Sequence, residues 1–374
     1  MEIFMKKLTA IFILISSLFL LVGCGDGYYE PKESSALESQ VVMTIAFEDK
    51  TYSVRYELYR ALFLDMKSSF DNGDDSVWSG DKKDEYIAKI DAKIKAKIAD
   101  IYSVIHTASK IGIDVYSDEF DTAVKEYVKI SVDGGYYDDV LVEGFDGDYD
   151  AYLESLKADY LNYSVQDLLL RYSIAFEKIN EYYMGYVDGE FLEGFVPGKL
   201  EYTRDDVLEF YNDSTRSARV IRAFLRKEIF SKEQAELIRN EIIKKAAFGT
   251  DEVASYIIGL SPTAGSEVAN GEIIGRHSLD AAYYSELEDA AFSLGYFEVS
   301  EVISISTGDL EGYTIIYKTN KSSEHFDACY DYIASVYVTD EIGKILDTAA
   351  EGMLSAMQNT PFLNSLDRST VTMQ

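Results

Sequence analysis

Isoleucines at 87, 90, 94, 98, 101 and 105 follow one another at intervals of 3 or 4 residues, with lysines and acids filling the gaps. That spacing predicts an α-helix over 84–110 with one apolar stripe about five turns long, which other helices must cover. Ahead of it, apolar and polar residues alternate over 41–47. A polar turn at 48–50 and a second short run at 51–54 follow, which predicts a small hairpin. A helix with Leu58, Leu62 and Met66 on one face comes next. Further helical patterns run over 117–130, 149–158 and 164–183. Thr203 and Asp206 have the spacing of a capping box in front of a short helix over 207–211. Four prolines in 374 residues agree with a helix-rich chain.

At Arg216 the period changes. Residues 219–226 alternate, with Ile221, Ala223 and Leu225 on one face and Val220, Arg222, Phe224 and Arg226 on the other. Ser231 and Gln234 make a capping box for a helix with Ala235, Ile238, Ile242 and Ala246 inward, closed by Gly249. A short helix over 251–257, a Gly/Ser/Pro loop, a strand over 272–275, a helix over 280–294 and strands over 299–306 and 313–319 follow. The order β-α-α-β-α-β-β makes a compact α/β module. From Ser322 the pattern is helical again, with Phe326, Tyr330, Ile333, Ile342, Ile345 and Met353 on its apolar face. The polar tail after Gln358 is expected to be loose.

The first residues carry an address rather than a fold. Lys6 and Lys7 precede an apolar run over 8–22. It is shorter than the roughly 20 residues of a spanning helix and suits a signal-peptide core. It ends in Leu21-Val-Gly-Cys24, which resembles the lipobox of bacterial lipoproteins; that resemblance implies acylation of Cys24 and cleavage before it. Residues 24–40 then read as a polar tether, spanning on the order of 20 Å as a flexible coil. With Cys24 acylated, Cys329 has no partner for an intramolecular disulfide.

A formal charge of −31, from 66 acids and 35 bases, repels nucleic acid and anionic lipid and excludes either as a charge-driven partner. Other constellations carry little chemistry. His325 and Cys329, with Asp327 between them, lack a third ligand and read as a helix-surface pair. His106 and His277 stand alone. Asp146, Asp148 and Asp150 begin like a calcium loop, but Ala151 stands where it needs glycine and Lys157 where it needs glutamate. Thirty tyrosines are mostly core or interface residues, with a client-binding surface as the alternative. No cofactor and no metal site is expected.

Leu287-Glu-Asp-Ala-Ala-Phe292, then Gly295, Glu298-Val-Ser300 and Val302, followed by Gly312-Tyr-Thr-Ile-Ile316, resemble the second half of a parvulin-type prolyl isomerase domain. The resemblance spans about 216–320. With 200–211 (Leu-Glu-Tyr-Thr-Arg-Asp-Asp-Val-Leu-Glu-Phe-Tyr), the N-terminal helical region and the final helix, nearly the whole mature chain resembles the PrsA/SurA-type extracytoplasmic foldases. This implies an α+β fold: a helical chaperone domain made from N- and C-terminal segments, with a parvulin-like α/β module of four strands and helices inserted between them. The implied boundaries are 1–23 signal, 24–40 tether, 41–214 helical domain, 215–320 parvulin-like module, 321–358 C-terminal helix on the N-terminal domain and 359–374 tail. The implied partners are unfolded or newly secreted proteins and, through Cys24, the lipid of the outer membrane face.

Prolyl isomerisation lowers a barrier of about 18–20 kcal/mol without covalent chemistry. The family uses two histidines, a central acid or thiol and an apolar pocket. Here Arg222 takes the first histidine position, with Leu225 as the alternative register, and Thr314 takes the second. The central position falls at Leu260 or Gly259. Tyr283, Leu287 and Phe292 occupy pocket positions, with core packing the competing role for the last two. The resemblance therefore implies a foldase whose isomerase activity is weak or lost. An active atypical isomerase is the alternative. A ligand-binding lipoprotein fits less well, because 84–211 lacks the repeated βαβ pattern of two lobes.

Overall fold

The computed structural model describes residues 36–71, 75–124, 163–184, 199–260, 270–277, 281–307 and 310–371. Cys24, the tether up to residue 35, the helix expected over 149–158 and the acidic loop near 146 lie outside them. Of the helix expected over 117–130, residues 118–124 are described and helical. The fold is α+β, in two compact units. One is built from described residues between 36 and 179 together with 345–371, the other from 180–344.

In the first unit, β1 (Val41–Phe47) and β2 (Lys50–Arg55) form the expected hairpin, with Ile45 opposite Tyr52. Glu48 turns the corner at φ 50°. Helix α1 (Tyr56–Asp71) follows, then α2 (Lys83–Lys110). Ile90, Ile94, Ile98, Ile101 and Ile105 of α2 are buried, as their spacing demands. Helix α3 (Tyr163–Met184) places Arg171 where its guanidinium donates to Asp167, Asp121 and the Val115 carbonyl.

The tail departs from expectation. β7 (Met357–Asn359) pairs antiparallel with β1, giving the order β2-β1-β7. The Thr360 hydroxyl donates to the Val41 carbonyl at 2.8 Å and caps α10 (Pro361–Ser365). Leu363 and Val371 are buried, and Arg368 pairs with Asp91 at 3.0 Å. Strand pairing uses backbone groups that any side chain carries, so a polar composition did not forbid it.

In the second unit, α4 (Arg204–Asn212) opens with a complete Thr203/Asp206 capping box. β3 (Ser217–Arg226), α5 (Lys232–Ala246), α6 (Thr250–Leu260), β4 (Glu272–Gly275), α7 (Ala281–Ser293), β5 (Ile303–Thr307) and β6 (Leu310–Thr319) follow in the expected order. Ser231 and Gln234 complete the second capping box, at α5. The sheet is antiparallel in the order β4-β3-β6-β5. Helices α5 and α6 cover one face through Ile221, Ala223, Leu225, Ile315 and Tyr317. Helix α7 covers part of the other, with Leu287 and Ala291 on Ala218, Val220, Ile274 and Ile316.

β5 begins later than the apolar run suggests. Val299 makes only a single bridge to Tyr317, and the Ser300 hydroxyl accepts from the Ile316 amide at 2.9 Å. The final helix is also broken at Cys329, into α8 (Ser323–Ala328) and α9 (Tyr330–Ala356), and α9 contributes residues to both units.

Candidate functional site

β3 alternates, and the antiparallel register sets Arg222 opposite Ile316 and Phe224 opposite Thr314. Thr314 in turn faces Ile303 on β5. Arg222, Phe224 and Thr314 therefore share the α7 face of the sheet, while Leu225 points into the α5/α6 core. The register thus brings Arg222 and Thr314 onto one surface.

Neither holds a group suited to proton exchange. Arg222 Nε donates to Glu272 Oε1 at 2.7 Å, and both side chains are less than a fifth exposed. A guanidinium is always protonated, so it serves as a fixed cation and donor. Thr314 is fully buried and its hydroxyl has no hydrogen-bond partner among the described residues. An unmatched buried hydroxyl costs about 1–3 kcal/mol. Closed off from solvent, it cannot meet a peptide without movement of its surroundings.

Leu260 is set apart from them. It ends α6 and packs against the α5/α6 cluster, on the opposite face from Arg222 and Thr314. Alignment along the chain could not reveal this, because the loop after it carries no periodic signal. Of the pocket positions, Tyr283 lies on α7 but its side chain is outside the described set. Leu287 is buried in the sheet-to-α7 core. Phe292 is partly buried beneath the Arg276 guanidinium, 3.9 Å from its ring centroid, and Arg276 also pairs with Glu288. Leu287 and Phe292 are thus filled into packing rather than left as an open ring pocket.

Gly312 explains the glycine of the Gly-Tyr-Thr run. A Cβ there would lie 2.5 Å from the Leu225 carbonyl oxygen and 2.9 Å from the Phe224 ring.

His325 is a further correction: it is buried, not a surface partner of Cys329. Its Nδ1 meets the Tyr211 hydroxyl at 2.9 Å and the two rings stack. Burial, with the Arg219 charge second, pushes its pKa down to about 4, and the Gly271 backbone offsets this only in part. Beside it, Lys321 donates to the Asp213 and Ser217 carbonyls and to the Ser217 hydroxyl, with its pKa lowered to about 8 by burial. These groups tie the chain entering the module at 211–217 to the chain leaving it at 321–325. Among the described residues, no three His, Cys, Asp or Glu side chains gather as metal ligands. Nor is any described helix long and apolar enough to cross a membrane.

A different surface went unnoticed in the sequence. Ile243, Ala246 and Ala247 near the end of α5, with Phe297, Glu298 and Val299, line an open groove of about 430 Å³. The sequence signal available was the Tyr296-Phe297 pair in front of a strand.

No family model matches the chain, and no curated protein matches it. Among solved structures it is similar to PrsA from Bacillus subtilis, at 15% identity over 73% of this chain and 87% of that one, with a TM-score of 0.23. It is also similar to foldase protein PrsA from Streptococcus pneumoniae str. Canada MDR_19A, at 13% identity over 83% and 93%, with a TM-score of 0.23.

Proposed function

We propose that the chain is a lipid-anchored extracytoplasmic folding factor that holds unfolded secreted proteins, with prolyl isomerase activity weak or lost. The observation that carries this reading is the α7 face of the four-stranded sheet. The module has an antiparallel sheet in the order β4-β3-β6-β5 and a close Gly312 contact, while the positions that the resemblance implies as catalytic hold an ion-paired Arg222 and a sealed Thr314 whose hydroxyl has no partner among the described residues. Loss confined to the chemistry, within a scaffold that is kept, suits a domain retained for binding. In this reading Cys24 carries the acyl chains, 24–40 form the tether, 41–214 with 321–358 form the chaperone domain, and 215–320 form the inserted module.

Two measurements test it. The chain should slow aggregation of a chemically unfolded client at near-stoichiometric ratio; no effect would remove the chaperone reading. Relaxation of a cis-proline peptide should proceed at close to its uncatalysed rate. A clear acceleration would instead establish an active isomerase with an atypical site.

A further inference from the structure

Scattered apolar side chains on a surface need no explanation, but a contiguous set around a depression does. The groove beside α5 is such a set. Phe297 is half exposed, its ring lies 6.5 Å from that of Tyr296, and Phe248, next to the lining Ala247, is 78% exposed. Its volume of about 430 Å³ lies within the range of roughly 300–1,000 Å³ typical of ligand sites.

The backbone adds a second observation. Phe297 has φ 69°, in the left-handed region that an aromatic L-residue rarely occupies. The conformation is imposed from both sides. The Phe297 amide donates to the Lys318 carbonyl at 2.7 Å, and the Glu298 carbonyl accepts from the Lys318 amide at 3.0 Å. The Glu298 carboxylate closes the turn by accepting from the Gly295 amide at 2.8 Å. Strain of this kind persists only where surrounding structure enforces it, and it marks functional surfaces. Here its product is a half-exposed ring lining the groove, 6.5 Å from the buried Tyr317 ring on its inner side.

Charge selects the occupant. Among the described residues, the lining contains one carboxylate, Glu298, and no cation. Of the cations nearby, Lys244 pairs with Glu241, Lys245 with Glu252 and Arg239 with Glu301, while the Lys318 ammonium is turned inward, donating to the Leu294 carbonyl at 2.8 Å. The chain as a whole carries 66 acids to 35 bases. We propose that this groove is a second polypeptide-binding site, which takes an extended client segment by an aromatic or aliphatic side chain and pairs an adjoining Lys or Arg with Glu298. It lies on the α5/α6 side of the sheet, away from Arg222 and Thr314. The inference rests on the foldase reading and names which segments such a protein holds.

The test uses the chain from Gly25 to Gln374, which contains every described element, and two short labelled peptides with a central Phe-Leu pair. One peptide is flanked by lysines, the other by glutamates, and anisotropy reports binding. The lysine-flanked peptide should bind more tightly. Phe297→Gly, which relieves the left-handed strain while removing the ring, should weaken it by about tenfold or more, the scale of losing a packed aromatic anchor. Glu298→Gln keeps an acceptor for Gly295 and should erase the difference between the two peptides. Unchanged affinity in both variants would overturn the groove even if the parent chain still suppresses client aggregation. If the parent chain neither binds peptide nor suppresses aggregation, the foldase reading itself falls. A concentration-dependent dimer abolished by Phe297→Gly would assign the groove to a second copy of the chain and likewise overturn the proposal.

Discussion

Arg222 on β3 and Glu272 on β4 form an ion pair at 2.7 Å, with both side chains less than a fifth exposed. The pair ties an edge strand of only four residues to the centre of the sheet. Arg222→Ala should lower stability by about 1–2 kcal/mol, because it takes a charged donor away from a largely buried carboxylate. Adding Glu272→Ala should recover part of that loss. Urea unfolding of the four members of the cycle measures the coupling, and strict additivity would show that the pair contributes nothing.

Thr314 predicts the opposite sign for a conservative change. Its hydroxyl is buried without a partner among the described residues, so Thr314→Val should leave stability unchanged or raise it by up to about 1 kcal/mol. A loss larger than that would reveal a hydrogen bond to this hydroxyl. Thr314→His should instead destabilise, since the site has no room exposed to solvent.

His325 sets a pH dependence. Its folded pKa of about 4 lies below the ordinary 6.5, chiefly through burial. As pH falls through 6.5 the unfolded chain takes up this proton first. Stability from the neutral buried ring is therefore full above about 6.5 and declines as pH falls toward 4. Thermal unfolding of His325→Gln should accordingly show a shallower loss between pH 6.5 and 4 than the parent chain. Parallel curves would mean that His325 titrates normally.

The C-terminal segment should matter to the first unit. Ending the chain after Gln358 removes the Thr360 cap, the buried Leu363 and Val371, and the Arg368–Asp91 pair. Two buried side chains at about 1.5–3 kcal/mol each predict a loss of roughly 3 kcal/mol or more, read by denaturant midpoint. A midpoint unchanged within error would show that the tail is dispensable.

Local regularities made much of this fold legible in the chain itself. The isoleucine stripe of α2, the hairpin at 41–55, both capping boxes and the two-faced alternation of β3 each rest on residues a few positions apart. Covalent geometry and helix or strand period dictate such spacings, so the sequence by itself determined them, along with the order of elements in the module. The glycine at 312 and the absence of histidines at 222 and 314 were equally readable. Only the tertiary structure decided what each residue meets. It buried His325 against Tyr211, sent Leu260 to the far face of the sheet, packed Leu287 into the core, paired a polar tail with β1 and held Phe297 out over a groove. Those outcomes depend on partners tens to hundreds of residues away and on strand register, where a shift of one residue exchanges the two faces. No local period carries that information.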